Sequence, residues 1–163
     1  MSCRVEASIY GDTLNHRMKI VRYPGRDQTG DDQGVGAHKD GGFLTLLLQD
    51  EKGLQVDYGG SWIDADPIPG TFVVNIGELL ELASNGHLRA TVHRVVTPQA
   101  GVERYSVPFF FSARLDAEIP LLGLPAELAI EVRGPASDPD NPLFRNVGAN
   151  ALKSRLRSHP DVA

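Results

Sequence analysis

His38 and Asp40 stand two residues apart in GVGAHKDGG, on a segment whose composition predicts a β-strand over 35–40. Side chains repeat every second residue along a strand, so both point to one face. As an isolated triplet the pattern also fits a solvated strand end. A third candidate is His93, in ATVHRVV, where apolar neighbours predict another strand. A histidine in that setting is either a satisfied core residue or a ligand. Two histidines with one carboxylate are the usual set of a mononuclear non-haem Fe(II) site. Three protein ligands then occupy one face of an octahedron, and three adjacent positions stay open for oxygen and a chelating co-substrate.

A second pair with this spacing follows. Arg104 and Ser106 lie in ERYSVPFFF and share one strand face, while Tyr105, Val107 and Phe109 take the other and read as core. An arginine turned inward in an apolar strand needs a partner, because an unpaired buried charge is too costly. A planar guanidinium plus a hydroxyl suits a carboxylate ligand. The alternative is an Arg–Glu pair that only supports the fold.

The elements around these residues are short. Strands are predicted over 18–24, 35–40, 43–50, 54–58, 61–66, 71–76, 90–96 and 102–113, with a polar loop at 25–33 and a Gly59-Gly60 hairpin. A helical turn over 78–84 closes at Asn85-Gly86, and 149–157 reads as an amphipathic helix with Leu152 and Leu156 on one side. Many short strands with almost no helix predict a mainly β sandwich or jelly roll.

Composition narrows the function classes. The 163 residues are enough for one ordinary domain with its own core. A net charge of −5 without a basic tract argues against nucleic acid or anionic membrane as partner. No apolar run approaches a bilayer span, and MSCRVEASIYGD lacks a secretory pattern, so a cytoplasmic location is expected. The single cysteine, Cys3, excludes an internal disulfide and cysteine metal sites and reads as inert. His16 and His159, near the termini, read as solvated, and His87 as a surface residue by a turn. Trp62 reads as a hairpin packing residue. Asn75 has either a structural role or a hydrogen bond near the site.

From about Met18 to the C-terminus the chain resembles the iron- and 2-oxoglutarate-dependent oxygenases of the isopenicillin N synthase-like group, especially its bacterial members. The resemblance rests on GVGAHKDGGFLTLLLQDEKGLQV, GTFVVNIGELLELASNGHLRATVHRVV, ERYSVPFFF and the tail NPLF with LKSRLRSHPDVA, including 53 residues from Asp40 to His93. It implies a double-stranded β-helix, a form of jelly roll, with a short helix between strands and a C-terminal helix. It implies His38, Asp40 and His93 as Fe(II) ligands. Arg104 and Ser106 would clamp the distal carboxylate of 2-oxoglutarate. Tyr23, in R-Y-P, matches a tyrosine that helps hold that carboxylate or one on the substrate. Iron would bind 2-oxoglutarate through its C1 carboxylate and keto oxygen, O2 would take the last site, and succinate and carbon dioxide would leave as co-products. The prime substrate would be a small molecule.

Two departures stand out. Val21 replaces an asparagine frequent in plant members. Family members also carry an N-terminal half that packs on the barrel. The expected division is therefore 1–17 as a remnant of that half, 18–120 as the oxygenase barrel, and 121–163 as a loop and helix on the barrel. Barrel surface left uncovered would favour self-association. The rival readings are a family member that uses no 2-oxoglutarate, a non-catalytic metal-binding barrel, and a zinc hydrolase. The Arg-Ser pair argues against the last, since a hydrolytic zinc site has no need of a dicarboxylate clamp.

Overall fold

The structure is a computed structural model that describes residues 9–11, 15–136 and 138–158. Cys3 and His159 lie outside the described residues. Two antiparallel sheets face each other. One contains β1 (Arg17–Met18), β2 (Val21–Tyr23), β4 (Leu44–Gln49), β7 (Val73–Ile76) and β9 (Arg104–Phe111). Its order is β1-β9-β4-β7, with β2 also paired to β9. The other runs β3-β8-β5-β6, from β3 (Gln33–His38), β8 (His93–Val96), β5 (Leu54–Tyr58) and β6 (Ser61–Asp64). The chain passes back and forth between the sheets as it winds, which makes a jelly roll of the double-stranded β-helix kind. Helices among the described residues are few, chiefly α1 (Arg26–Thr29), α2 (Glu78–Ala83), α3 (Ala126–Ala129) and α4 (Val147–Ser158).

Several expectations change in detail. The strand expected over 18–24 is split into β1 and β2, and Asp40 lies two residues beyond the end of β3. The polar loop at 25–33 contains α1, one turn that ends at Gly30 in the left-handed conformation. In β9 the faces are exchanged relative to the core reading. Arg104 and Ser106 are buried between the sheets, whereas Tyr105 is 42% exposed and Val107 and Phe109 are half-buried on the outer side. The apolar run did not mark the inner face because that face turns Arg104 and Ser106, with Pro108 and Phe110, into the cavity between the sheets. His16 is not a solvated residue: its ring packs 4.5 Å from that of Phe111 and 5.6 Å from that of Phe109, centroid to centroid.

The core divides in two. A small cluster of Tyr23, Leu54 and Val95 lies between the sheets. A larger one joins Phe43, Leu79, Ala113, Ile119 and Val147, so α2 and the C-terminal segment pack on one end of the barrel. Helix α2 is set close against the loop that follows β3. The amides of Glu78 and Leu79 donate to the carbonyls of Asp40 (2.8 Å) and Gly42 (3.0 Å). A Cβ at Gly77 would stand 2.1 Å from the Gly42 carbonyl oxygen, so only glycine permits this approach.

Glu81 on α2 is fully buried. Its carboxylate accepts from the amides of Ala136 (2.8 Å) and Ala90 (3.0 Å), from Arg89 Nη1 (3.2 Å) and from Lys39 Nζ (3.4 Å). One side chain thus ties together the segment between His38 and Asp40, the approach to His93 and the loop at 134–136. Burial alone would push this carboxyl up, but the two amides and the Lys39 and Arg89 charges outweigh it and hold it below its ordinary value of about 4.5. A depressed carboxyl contributes stability that is present above the ordinary value and is lost as pH falls through the folded one. Urea unfolding of the parent should therefore show declining stability below about pH 4.5, and Glu81→Gln should be less stable at neutral pH with a flatter acid dependence. Parallel curves for the two proteins would remove Glu81 as a source of the acid sensitivity.

Candidate functional site

His38 ends β3 and His93 begins β8, and the two are partners in the register of the smaller sheet. Each ring is aimed by a backbone carbonyl two residues upstream. His38 Nδ1 pairs with Gly36 O at 2.8 Å, and His93 Nδ1 pairs with Thr91 O at 3.1 Å. With Nδ1–H donating to a carbonyl, the Nε2 lone pair is left to act as ligand or base. Both Nε2 atoms stand 3.7 Å from Asp40 Oδ1. The turn through Gly41-Gly42, held by the α2 amides, carries Asp40 back toward the histidines although it lies outside the strand.

Asp40 is buried, and its two oxygens have different surroundings. Oδ2 accepts from Thr45 Oγ1 at 2.7 Å and from Asn75 Nδ2 at 2.8 Å. Oδ1 is left facing the imidazoles. The donor atoms of His38, Asp40 and His93 all lie within 4.8 Å of one another, the only such cluster among the described residues. His87 takes no part in it. Two imidazole nitrogens and one carboxylate oxygen, each oriented by a further hydrogen bond, fit Fe(II) or a similar divalent cation. Removal of such an orienting partner typically costs about 10–100-fold in metal affinity. We expect Asn75→Leu and Thr45→Val each to weaken Fe(II) binding by about that factor in anaerobic metal titrations. Unchanged affinity in both would show that Asp40 needs no outer support.

Arg104 is completely buried. Its Nε donates to the Glu51 carbonyl at 3.1 Å and its Nη2 to Gln49 Oε1 at 2.9 Å, both neutral acceptors. Nη1 is buried without a hydrogen-bond partner. The guanidinium carbon sits 4.8 Å from the centre of the Tyr23 ring. Burial pulls the Arg104 pKa below its ordinary value, against the opposing influence of Tyr23 and Asp50. The alternative of a supporting Arg–Glu pair is not met among the described residues, so this cation is short of negative charge and has one donor to spare. Ser106, one register step away on the same face, is also buried and lines the same space.

That space is a cavity of about 260 Å³ between the sheets, and all six expected residues line it: Tyr23, His38, Asp40, His93, Arg104 and Ser106. Val21 lines it too, in register with Ser106. A wider, solvent-open cavity of about 1060 Å³ adjoins it, and the two share Lys19, Val35, His38, Asp40 and Phe110. Thr45 and Gln49 were not singled out from the sequence. Their signal was available: they have the inward parity of β4, opposite to Leu44, Leu46 and Leu48. Trp62 lies on β6 with the Arg94 guanidinium 4.1 Å over its ring, away from the cavity.

The arrangement therefore offers a site for a divalent metal and, in the same chamber, a buried cation that wants an anion. Comparison with known proteins points the same way. The sequence profile of the 2OG-Fe(II) oxygenase superfamily matches residues 14–113. The 2-oxoglutarate-dependent dioxygenase frbJ of Dothideomycetidae sp. (strain 11243) is 38% identical, over 90% of this chain and 45% of its own. Homoarginine-6-hydroxylase 2-ODD-C23.1 of Arabidopsis thaliana is 45% identical, over 63% of this chain and 32% of its own. A full-length Neurospora crassa protein crystallised in complex with alpha-KG and thymine superposes with a TM-score of 0.69 at 29% identity, covering 94% of this chain and 46% of that one. The chain thus spans less than half the length of these relatives. With the profile matched over more than half of the sequence and the same barrel found in the solved relative, this chain belongs to the 2OG-Fe(II) oxygenase superfamily.

Proposed function

We propose that the chain forms the catalytic barrel of an Fe(II)- and 2-oxoglutarate-dependent oxygenase that oxidises a small organic molecule, with succinate and carbon dioxide as co-products. The observation that carries this reading is the buried Arg104 with its unpartnered Nη1, in the same cavity as the His38, Asp40 and His93 cluster. A metal site alone fits many activities; a metal site with an enclosed guanidinium fits a chelating dicarboxylate.

In this reading His38, Asp40 and His93 hold Fe(II), while Thr45 and Asn75 keep Asp40 oriented. Arg104 and Ser106 receive the distal carboxylate of 2-oxoglutarate, and the Tyr23 ring packs against the guanidinium that binds it. Fe(II), 2-oxoglutarate and O2 together supply the oxidation; the residues of the chain bind, orient and exclude water. Val21, Leu54, Val73 and Val95 give the inner chamber its apolar lining. The order and spacing of the motifs support a place in the isopenicillin N synthase-like branch, with 18–120 as the barrel and 121–163 packed on it. A cytoplasmic location is part of the same reading and rests on the composition. No helix among the described residues is long and apolar enough to cross a membrane.

The direct assay is succinate formation and O2 consumption with Fe(II) and 2-oxoglutarate, with and without candidate substrates. Stoichiometric succinate supports the reading. A protein that binds both metal and 2-oxoglutarate yet forms no succinate would be the non-catalytic barrel instead.

The outer side of the larger sheet bears Met18, Leu48, Val74 and Tyr105 in exposed positions. We propose that copies of this chain associate through it, since covering apolar area yields about 25 cal/mol per Å². Sedimentation velocity should show concentration-dependent association that Leu48→Lys with Val74→Lys suppresses. A parent that stays monomeric across the range would contradict it.

A further inference from the structure

Resting on the reading above, we infer that the substrate is a small organic acid whose carboxylate is received by Lys19, with Arg17 beside it. The inner chamber already assigns a cation to 2-oxoglutarate, namely Arg104. Lys19 occupies a different place. It lines both cavities, at the junction that His38 and Asp40 also line. A substrate that approaches the metal site from solvent through the wider cavity passes this junction.

The position of Lys19 is built by the fold. Its backbone amide donates to the Pro108 carbonyl at 3.1 Å, which fixes the strand edge, and its Nζ lies 5.7 Å from the centre of the Phe110 ring. Arg17, two residues earlier on the same face, is the register partner of Phe110 and lines the wider cavity. Neither side chain forms an ion pair among the described residues. Lys39, the third cation on this wall, is by contrast held by Glu81.

The carboxylates of the wider cavity are Asp40, committed to the metal cluster, and Asp138, whose Oδ1 accepts the Asp140 amide within its own loop. The chain as a whole carries a net charge of −5. Two unpaired cations at the mouth thus run against the overall charge and would concentrate small anions there. The remaining wall is mixed: Val35, Val92, Phe110, Val147 and Ala151 offer apolar surface to a hydrocarbon body, beside the polar Gln33, Ser112, Asn141 and Ser154. An amphiphilic acid satisfies both features: carboxylate toward Lys19, hydrocarbon along Phe110.

The test compares acids with their uncharged amides. Benzoate, phenylacetate and hexanoate are titrated against benzamide, phenylacetamide and hexanamide, using ¹⁵N-labelled protein loaded with Zn(II), both with and without saturating 2-oxoglutarate. We expect at least one acid to bind about two- to fivefold tighter than its amide, as an ion pair to the exposed Lys19 implies, with the shifts centred on 36–42 and Val92. The preference should shrink at high salt. Lys19→Gln should abolish it, and the exposed Arg17→Gln should reduce it, while 2-oxoglutarate affinity stays at the parental value. Amides that bind as well as acids, a preference that survives Lys19→Gln, or no acid bound at all would overturn the inference. Absence of 2-oxoglutarate binding in the parent would overturn the reading of the inner site, and the acid–amide preference of the metal-only protein, compared between parent and Lys19→Gln, would still decide this one.

Discussion

His93→Ala is expected to abolish stoichiometric Fe(II) binding. His93 supplies one of only three donors, and the structure holds no spare ligand nearby: among the described residues no other His, Cys, Asp or Glu joins the cluster. Loss of an orienting partner already costs about 10–100-fold, so loss of a donor should exceed that. The substitution should leave the fold intact. The His93 side chain is partly exposed to the cavity, and its strand pairs with both β3 and β5 through the backbone. Anaerobic dialysis followed by iron analysis, with circular dichroism as a fold control, measures this. Iron retained at parental stoichiometry would remove His93 from the site.

The second large effect falls on Arg104. In the absence of an anion the guanidinium is buried, bonded only to neutral acceptors, with Nη1 unpartnered. Its pKa is lowered by the same burial, which outweighs the opposing influence of Tyr23 and Asp50. An apolar side chain of similar length removes the cost of burying an uncompensated cation, which offsets the loss of the two hydrogen bonds to Glu51 O and Gln49 Oε1. Arg104→Met should therefore melt no lower than the parent when no 2-oxoglutarate is present. It should also lose affinity for 2-oxoglutarate by about 10–150-fold, equivalent to the roughly 1.5–3 kcal/mol of a charge-assisted contact. The parent should gain melting temperature on addition of 2-oxoglutarate, and the variant should gain little at the same concentration. If Arg104→Met instead unfolds, the guanidinium belongs to the scaffold, and the anion pocket is misassigned.

Much of the site was legible because strand periodicity is rigid. A spacing of two put Arg104 with Ser106, and the structure turns both inward. The same rule brought His38 and Asp40 together for a reason it did not contain. Asp40 is past the strand end, and what returns it to the histidines is a glycine turn held by the amides of α2. The side of β9 that faces the interior is the reverse of the one its Tyr105, Val107 and Phe109 pattern predicts. Phe and Val on one face and Arg and Ser on the other normally mean apolar inside; here the interior is a chamber for polar ligands. Glu81 was hidden for a different reason. Its place on a helical turn was visible, but its partners come from Lys39, Arg89, Ala90 and Ala136, and sequence spacing cannot show separate segments meeting on one carboxylate. Thr45 and Gln49 were masked by the leucines around them: Leu44, Leu46 and Leu48 point outward, Leu47 lines the chamber between them, and together they dominate the hydrophobic pattern.

The central claim is that one chamber holds a metal and a chelating dicarboxylate at once. The most direct measurement is anaerobic visible absorption of the Fe(II)-loaded chain during titration with 2-oxoglutarate. The account predicts a new band that saturates at one 2-oxoglutarate per chain, requires His38, Asp40 and His93, and shifts to much higher concentration in Arg104→Met. A metal-loaded protein whose spectrum does not respond to 2-oxoglutarate, or responds identically in Arg104→Met, would contradict it.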